Sequence, residues 1–460
     1  MRAGIGRVDI TPAPGTPQGG WGAQTHQRGI GSDLPLLATC LALTNGSIST
    51  AIVDVDLIHL SPEMERKTVD LASSMVGVPA EHLRISCTHT HSGPNTFRLP
   101  VITQGLDMVL SYMEDLPHRI AGAIWQAFQQ LVPVRVAAGE GSCDININRR
   151  FQGPDGRWVV GRNPDGPVDH TVRVVRFDTL DERPFATILH YACHPTIMAW
   201  DNQFVTPDFP GVAKRVVEQN VGGTCLFLQG ATGNLGPRLG FTGDLSIYRR
   251  LGTILGLEAS RVALNIDTLP KCAVFTGYQE SGAPIALYRD QAIEQADPTL
   301  SVSSKDISLP VNPMPSPEVL AKEAERLRAV MNEMRRSGTE QQIRDATAAA
   351  TQAGMRVDRA KLVEGKSHLR RRLMAIRIGG IALISTQGEP FTETNEQIVT
   401  NSPFTHTLFS GYSHGGVGYV PVREAYQQGG YEVETAMFSP DAADILAAEA
   451  IALLREVARD

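Results

Sequence analysis

The 460-residue chain has no apolar run long enough to cross a bilayer as a helix. Its start, Met1-Arg2-Ala3-Gly4, lacks the apolar stretch of a signal peptide, so a cytoplasmic address is expected and a membrane partner is not. Its six cysteines (Cys40, Cys87, Cys143, Cys193, Cys225, Cys272) include no C-x-x-C pair. Scattered singly, they read as small buried hydrophobes in a reducing compartment and not as a disulfide framework. Excess positive charge is missing too. A net charge of −7 argues against nucleic acid as a general partner, because phosphate binding needs a basic surface. Walker and dinucleotide phosphate loops are absent, and Gly4-Ile5-Gly6 lacks the preceding strand that such a fingerprint needs. What remains, 42% hydrophobic and 20% charged residues, fits a soluble globular enzyme with a substantial core.

The most informative stretch is Cys87-Thr88-His89-Thr90-His91-Ser92-Gly93-Pro94. It follows an apolar segment and precedes a Gly-Pro break. In an extended chain residues i and i+2 share a face, so both imidazoles are expected to point one way. Such a pair is a common start for a transition-metal site, and imidazole suits zinc. An isolated histidine more often ends a strand as a satisfied polar group, so the other ligands must come from elsewhere.

Three further clusters are candidates. Leu189-His190-Tyr191-Ala192-Cys193-His194-Pro195-Thr196 ends a β-hairpin turning at Asp181-Glu182-Arg183-Pro184. His190 and His194 are an even number of residues apart, so spacing leaves both open as ligands. Cys193 and Cys87 lie beside the candidate ligands, with Cys193 expected on the face opposite His194. Gln387-Gly388-Glu389-Pro390-Phe391 follows the apolar strand Ile381–Ser385, and Gly411-Tyr412-Ser413-His414-Gly415-Gly416 leads through Gly418-Tyr419-Val420-Pro421. Loops on a rigid sheet are where sites are built.

Strand-like runs (36–43, 50–57, 134–138, 225–228, 374–378) alternate with helical ones (62–75, 106–130, 209–220, 246–264). The expected fold is α/β: a mixed sheet flanked by helices, one domain over 1–460. Within it, 314–366 reads as a helical hairpin insertion broken at Ser337-Gly338, serving as a lid, an oligomer arm or a plain surface excursion. Arg370-Arg371-Arg372 is expected to lead into the strand 373–378. Ser439-Pro440-Asp441 is expected to open a last helix reaching Val457, with Pro440 at its first position.

In order along the chain, Ala3-Gly4-Ile5-Gly6-Arg7-Val8-Asp9-Ile10-Thr11-Pro12, T-H-T-H-S-G-P, Asn146-Ile147-Asn148-Arg149 and His194-Pro195-Thr196 resemble the catalytic domain of the neutral, non-lysosomal ceramidases. Gly230-Ala231-Thr232-Gly233-Asn234, Gly388-Glu389-Pro390-Phe391 and Tyr419-Val420-Pro421 through Tyr431-Glu432 continue the resemblance. The resemblance implies one zinc ion held by His89, His194, Glu389 and Tyr419, with His91, Arg149 and Tyr431 in the substrate cavity. Zinc lowers the pKa of bound water from about 15.7 toward about 7, giving a nucleophile at neutral pH. His91 is then the expected proton shuttle or oxyanion partner.

Two departures bear on function. The serine held to act in ceramidase catalysis corresponds to Gly236 here, so a zinc-activated water is expected in place of a serine nucleophile. The family's secreted members carry a further β-sandwich domain, which this chain does not reach. The expected activity is therefore hydrolysis of a small soluble amide, ester or lactone. Arg98, Arg149, Arg150 and Arg238 are candidates to read an anionic group on that substrate. A binuclear amidohydrolase and a non-catalytic metal-binding relative are the competing readings. A homo-oligomer is compatible with all three.

Overall fold

A computed structural model describes all residues except Phe97, Arg98, Pro100, 294–296, Pro298, Val417 and Asp460. Arg98, a candidate anion reader, thus lies outside the described residues.

An eight-stranded mixed sheet forms first in the chain. Its spatial order is Thr224–Gln229, Pro184–Tyr191, Thr171–Thr179, Val132–Ser142, Arg2–Asp9, Leu37–Thr44, Ser49–Val55 and Leu83–Cys87. Only the outermost pair at each edge is parallel. Strands from opposite edges meet through side chains. Phe227 donates its backbone N–H to Asp54, and Gln229 donates its amide to the Thr88 carbonyl. The sheet is therefore curled, and the chain leaves Cys87 and Tyr191 toward the same place.

A second sheet, Leu300–Pro310, His368–Ile378, Ile381–Thr386 and His406–Ser410, stacks on the first. Leu41, Ile52, Phe177 and Ile188 from one sheet share a core with Met374, Ile376, Leu383 and Leu408 from the other. Helices cover the outer faces: Pro62–Val76 and Leu106–Gln129, then Asp208–Val221 and Leu245–Leu264, and on the second sheet Ala442–Val457. The α/β class with flanking helices holds. The sequence reading of a single sheet misses the second layer, because strands buried on both faces look alike whichever sheet they join.

Local sequence explains most boundaries. Ser61 caps Pro62–Val76 by accepting from the Met64 N–H, and Gly77 at φ 70° ends it. Gly4 and Gly6 sit in the first strand, where an added Cβ would lie 1.9 Å from the Ala127 and Ala123 carbonyl oxygens. They let the helix Leu106–Gln129 approach the sheet closely.

Other expectations shift. The strand expected at 374–378 begins at His368, because its partner Leu300–Pro310 pairs with it over eleven residues. Arg370, Arg371 and Arg372 are accordingly strand residues; Arg372 pairs with Asp306 at 3.2 Å, and Arg371 lies over Phe438. The last helix begins at Ala442, since the Ser439 N–H is tied to the Pro310 carbonyl and the Asp441 carboxylate takes Arg423. Cys272 is exposed, in a projecting two-stranded ribbon, while the other five cysteines are buried.

The hairpin is two helices, Pro317–Ser337 and Glu340–Val363. Ser316 caps the first, and Thr339 with Gln342 forms a reciprocal capping box on the second. Met331 and Ala350 pack on Leu99, Val101 and Ile102, and the Thr351 hydroxyl donates to the Gly22 carbonyl. No helix among the described residues is long and apolar enough to cross a membrane.

Candidate metal centre

His89 follows the strand Leu83–Cys87, and His194 follows Pro184–Tyr191. The curl of the sheet brings them together across 105 residues, with their Nε2 atoms 3.1 Å apart. His91 Nε2 lies 3.3 Å from His89 Nε2. The two rings of H-T-H do converge, yet not by strand alternation. His89 is in the left-handed region at φ 70° and His91 is in a turn, so the loop and not a pleat aims them. A non-glycine residue held there stores strain, which recurs at functional sites.

Each ring has its other nitrogen committed. Nδ1 of His89 donates to the Ile58 carbonyl at 2.6 Å, that of His91 to Gly20 at 2.9 Å and that of His194 to Thr232 at 3.2 Å. A carbonyl only accepts, so the proton sits on Nδ1 and each Nε2 presents a bare lone pair. Gly20 is required here, because a Cβ on it would come 2.1 Å from the His91 carbonyl. Burial first, and neighbouring cationic groups second, push His89 and His194 well below the ordinary histidine pKa. Burial likewise holds His91 at about 4. All three are neutral at pH 7.

Three bare lone pairs facing one another with no proton between them repel unless a cation lies among them. For zinc–nitrogen bonds of about 2.0–2.1 Å, the edge of a ligand tetrahedron is about 3.3 Å. The observed Nε2 separations match that edge. The residues present therefore fit a small divalent cation.

Glu389 Oε2 lies 3.7 Å from Nε2 of both His89 and His194. Burial holds its carboxyl up at about 7, opposed by the Arg149 charge and by hydrogen bonds from Tyr419 and Tyr412. Glu389 and Tyr419 are direct partners in a two-residue parallel bridge, so these motifs meet side by side. Behind Tyr419 stands Arg149, which donates to its phenol oxygen at 3.0 Å and to Glu432 at 2.8 Å. Burial works against the Arg149 charge, but Tyr419, Glu432 and Glu389 outweigh it and raise its pKa.

These groups form the floor of a cavity of about 290 Å³ lined by His89, His91, Glu389, Tyr419 and Tyr431, with apolar walls including Ile58, Leu99, Met355, Leu362 and Met437. His91 and Tyr431, two of the three residues that the resemblance put in a substrate cavity, line this cavity. Arg149 does not; it supports Tyr419 from behind.

His190 and His414 lie elsewhere. His190 Nε2 reaches the Phe409 carbonyl at 2.8 Å, and His414 Nε2 meets the Ser385 hydroxyl at 3.0 Å. Cys87 and Cys193 point into separate hydrophobic clusters. Three contributors escaped the sequence reading. Tyr412, quoted there only as part of a motif, has its ring 4.3 Å from the His89 ring, tilted by 41°, and bonds Thr232 at 2.5 Å. Glu432 clamps Arg149 and Arg150. His59 lines the cavity beside Ile58. Its signal was a lone histidine four positions past the apolar strand Ser49–Val55, too weak to single out. At Gly236 an added Cβ would make ordinary contact with Arg149, 3.5 Å away, so a serine would fit where none stands.

Comparison with known proteins agrees with this architecture. Residues 1–234 match the family described as neutral/alkaline non-lysosomal ceramidase, N-terminal. Neutral ceramidase B of Dictyostelium discoideum is 26% identical over 235 residues, 48% of this chain and 32% of that protein. Neutral ceramidase A of the same organism is 28% identical over 154 residues, 31% of this chain and 21% of that protein. The matches thus span a third or less of these relatives' length. The crystal structure of neutral ceramidase from Pseudomonas aeruginosa superposes with a TM-score of 0.68 at 18% identity, covering 100% of this chain and 74% of that one. At that identity the likeness speaks for the fold.

Proposed function

The chain belongs to the neutral/alkaline non-lysosomal ceramidase family, and we propose that it is a zinc-dependent hydrolase of a small soluble amide, ester or lactone. The observation that carries this reading is the set of three imidazoles whose Nδ1–H groups are tied to carbonyls and whose bare Nε2 atoms converge. His89 and His194, with Glu389 and Tyr419 beside them, would hold the ion. When bound, zinc supplies a Lewis acid and lowers the pKa of water toward about 7.

The remaining groups suit acyl transfer to water. Neutral His91, its lone pair directed at the same point, takes the proton released as water attacks the carbonyl carbon and returns it to the leaving group. Arg149 orients Tyr419 and holds positive charge next to it. With no hydroxyl at Gly236, the chain itself offers no nucleophile there. A cavity of about 290 Å³ is at the low end of small-molecule sites, which run about 300–1,000 Å³, and this supports a compact substrate.

A second ligand set, His89, His91 and His194, is favoured by the 3.3 Å approach of His91. One experiment separates the two. Metal per chain is measured by mass spectrometry in wild type and His91→Ala, alongside hydrolysis of an amide, ester and lactone panel before and after chelation. The proposal expects about one zinc per chain, activity lost on chelation and restored by zinc, and His91→Ala with its metal intact but turnover about 100- to 10,000-fold lower. Loss of metal in that variant would move His91 into the ligand set. Hydrolysis indifferent to chelation would refute the metallohydrolase reading.

A further inference from the structure

The arginines expected to read a substrate anion are committed elsewhere. Arg149 and Arg150 both pair with Glu432, at 2.8 and 3.0 Å, and Arg238 pairs with Asp144 at 2.7 Å. A different arginine enters the cavity. Gln352, Met355, Arg359 and Leu362 of the second hairpin helix line it, and their spacing of three to four residues makes one stripe along that helix. The hairpin is fixed in place over the metal floor. Besides the Thr351 contact with Gly22, Arg344 lies over Trp200 and reaches Asp201 at 3.3 Å, and Gln352 lines the cavity together with Tyr431.

Arg359 is the one Arg or Lys among the described residues lining this cavity. Its Nε is sealed from solvent and has no hydrogen-bond partner among the described residues. A buried donor left unmade is costly, and more so on a charged group. Asp358, next to it, also borders the cavity but is engaged with Lys361 at 3.3 Å on the exposed side. Burial pulls the Arg359 pKa below its ordinary value, with the Tyr431 and Tyr419 phenols and Asp358 opposing and Arg356 adding to the fall. The guanidinium still carries its charge at neutral pH.

We infer that Arg359 is the specificity residue of this site, reading a carboxylate on the substrate, so that the hairpin insertion selects acyl compounds with an anionic end. This rests on the hydrolase reading above. A guanidinium presents Nε and one Nη as a planar fork that matches a carboxylate with two parallel hydrogen bonds. The apolar walls then take the acyl chain, and the metal floor faces the scissile carbonyl. A neutral lipid can offer this fork amide or hydroxyl oxygens but no charge to pair with.

The test uses N-butanoylglycine and N-butanoylglycinamide, which differ only in the carboxylate. Full-length wild type, Arg359→Gln and Arg359→Lys are compared by kcat/KM on both. A charge-assisted pair supports an expected wild-type preference for the acid of about 10- to 100-fold, expressed mainly in KM. Arg359→Gln should abolish that preference, and Arg359→Lys should retain part of it. A preference that survives in Arg359→Gln, as it would if the metal bound the carboxylate, or that is absent in wild type, overturns the inference. If neither compound is cleaved, the hydrolase reading fails for this class, and calorimetric binding of the same pair still decides. Tighter binding of the acid, lost in Arg359→Gln, supports the Arg359 assignment; equal binding overturns it.

Discussion

Replacing His194 by alanine removes one of the converging lone pairs, and its effect on metal binding can be estimated. Four-ligand zinc sites bind with about 10–16 kcal/mol, so an average ligand share is about 3 kcal/mol, or about 100-fold in affinity. For wild type at zinc about 1,000 times its Kd, the ion adds about 4.1 kcal/mol to folding stability. An unfolding entropy of about 2.1 cal/mol/K per residue over 460 residues makes this about 4 °C in Tm. At the same zinc concentration a variant bound about 100-fold more weakly gains about 1.4 kcal/mol, or about 1.5 °C. His194 is 1% exposed, so the substitution also opens a packing defect. Each protein is therefore compared with its own metal-free form by scanning calorimetry, which cancels that term. His190→Ala is the control: equally buried, four residues earlier and bonded to the Phe409 carbonyl, it should lose stability but keep the full zinc shift. An undiminished zinc shift in His194→Ala, or its loss in His190→Ala, would refute the assignment of His194 over His190.

Two further outcomes follow from groups outside the centre. Lys214 is buried and bonds Asp54 and Asp56, each at 2.8 Å, so Lys214→Met strands two carboxylates and should cost about 3–5 kcal/mol in urea unfolding; a loss under about 1 kcal/mol would contradict this. Asp208 is fully buried, and burial raises its carboxyl from 3.8 to about 7, against hydrogen bonds from the Met198, Phe209 and Ile197 N–H groups. The folded state then holds the proton more tightly than the unfolded one. Its contribution to stability must fall as pH rises from about 4 to 7. Asp208→Asn keeps a side chain that tolerates φ 55° and should flatten that slope; an unchanged slope in denaturation from pH 4 to 8 would exclude Asp208 as its source.

Together these groups divide the molecule into a centre that could hold a cation and a frame that already carries its own. Lys214 neutralises the frame's buried acids, and Glu432 gathers Arg149 and Arg150 behind Tyr419. In the centre no side chain among the described residues pairs a positive charge with the three imidazoles. Arg149 is spent on Tyr419 and Glu432.

Much of the chain was legible locally. Helix starts were readable near Pro62 and Pro317, because a cap bonds a backbone N–H only two or three residues away, but the same Ser-Pro pattern at Ser439-Pro440 misled, since the Ser439 N–H is taken by the distant Pro310 carbonyl. The turn at Asp181-Glu182-Arg183-Pro184 was readable for the same reason. The candidate ligand types and their order were also present, since H-T-H, His194, Glu389 and Tyr419 each sit where a strand yields to a loop or in a short bridge. Even spacing, however, made His190 and His194 equivalent. It predicted a pleat for H-T-H, where the backbone instead turns left-handed at His89.

By itself the sequence determined which chemistry was on offer: imidazole, carboxylate and phenol in a fixed order, in a chain without C-x-x-C pairs or net positive charge. Only the tertiary structure decided which of those groups meet. Two sheet edges had to curl together to bring His89 to His194, and the hairpin had to fold back over them to present Arg359. Periodicity reports a residue's face relative to its near neighbours. The direction of a lone pair, or the donor left without a partner, depends on segments hundreds of residues away.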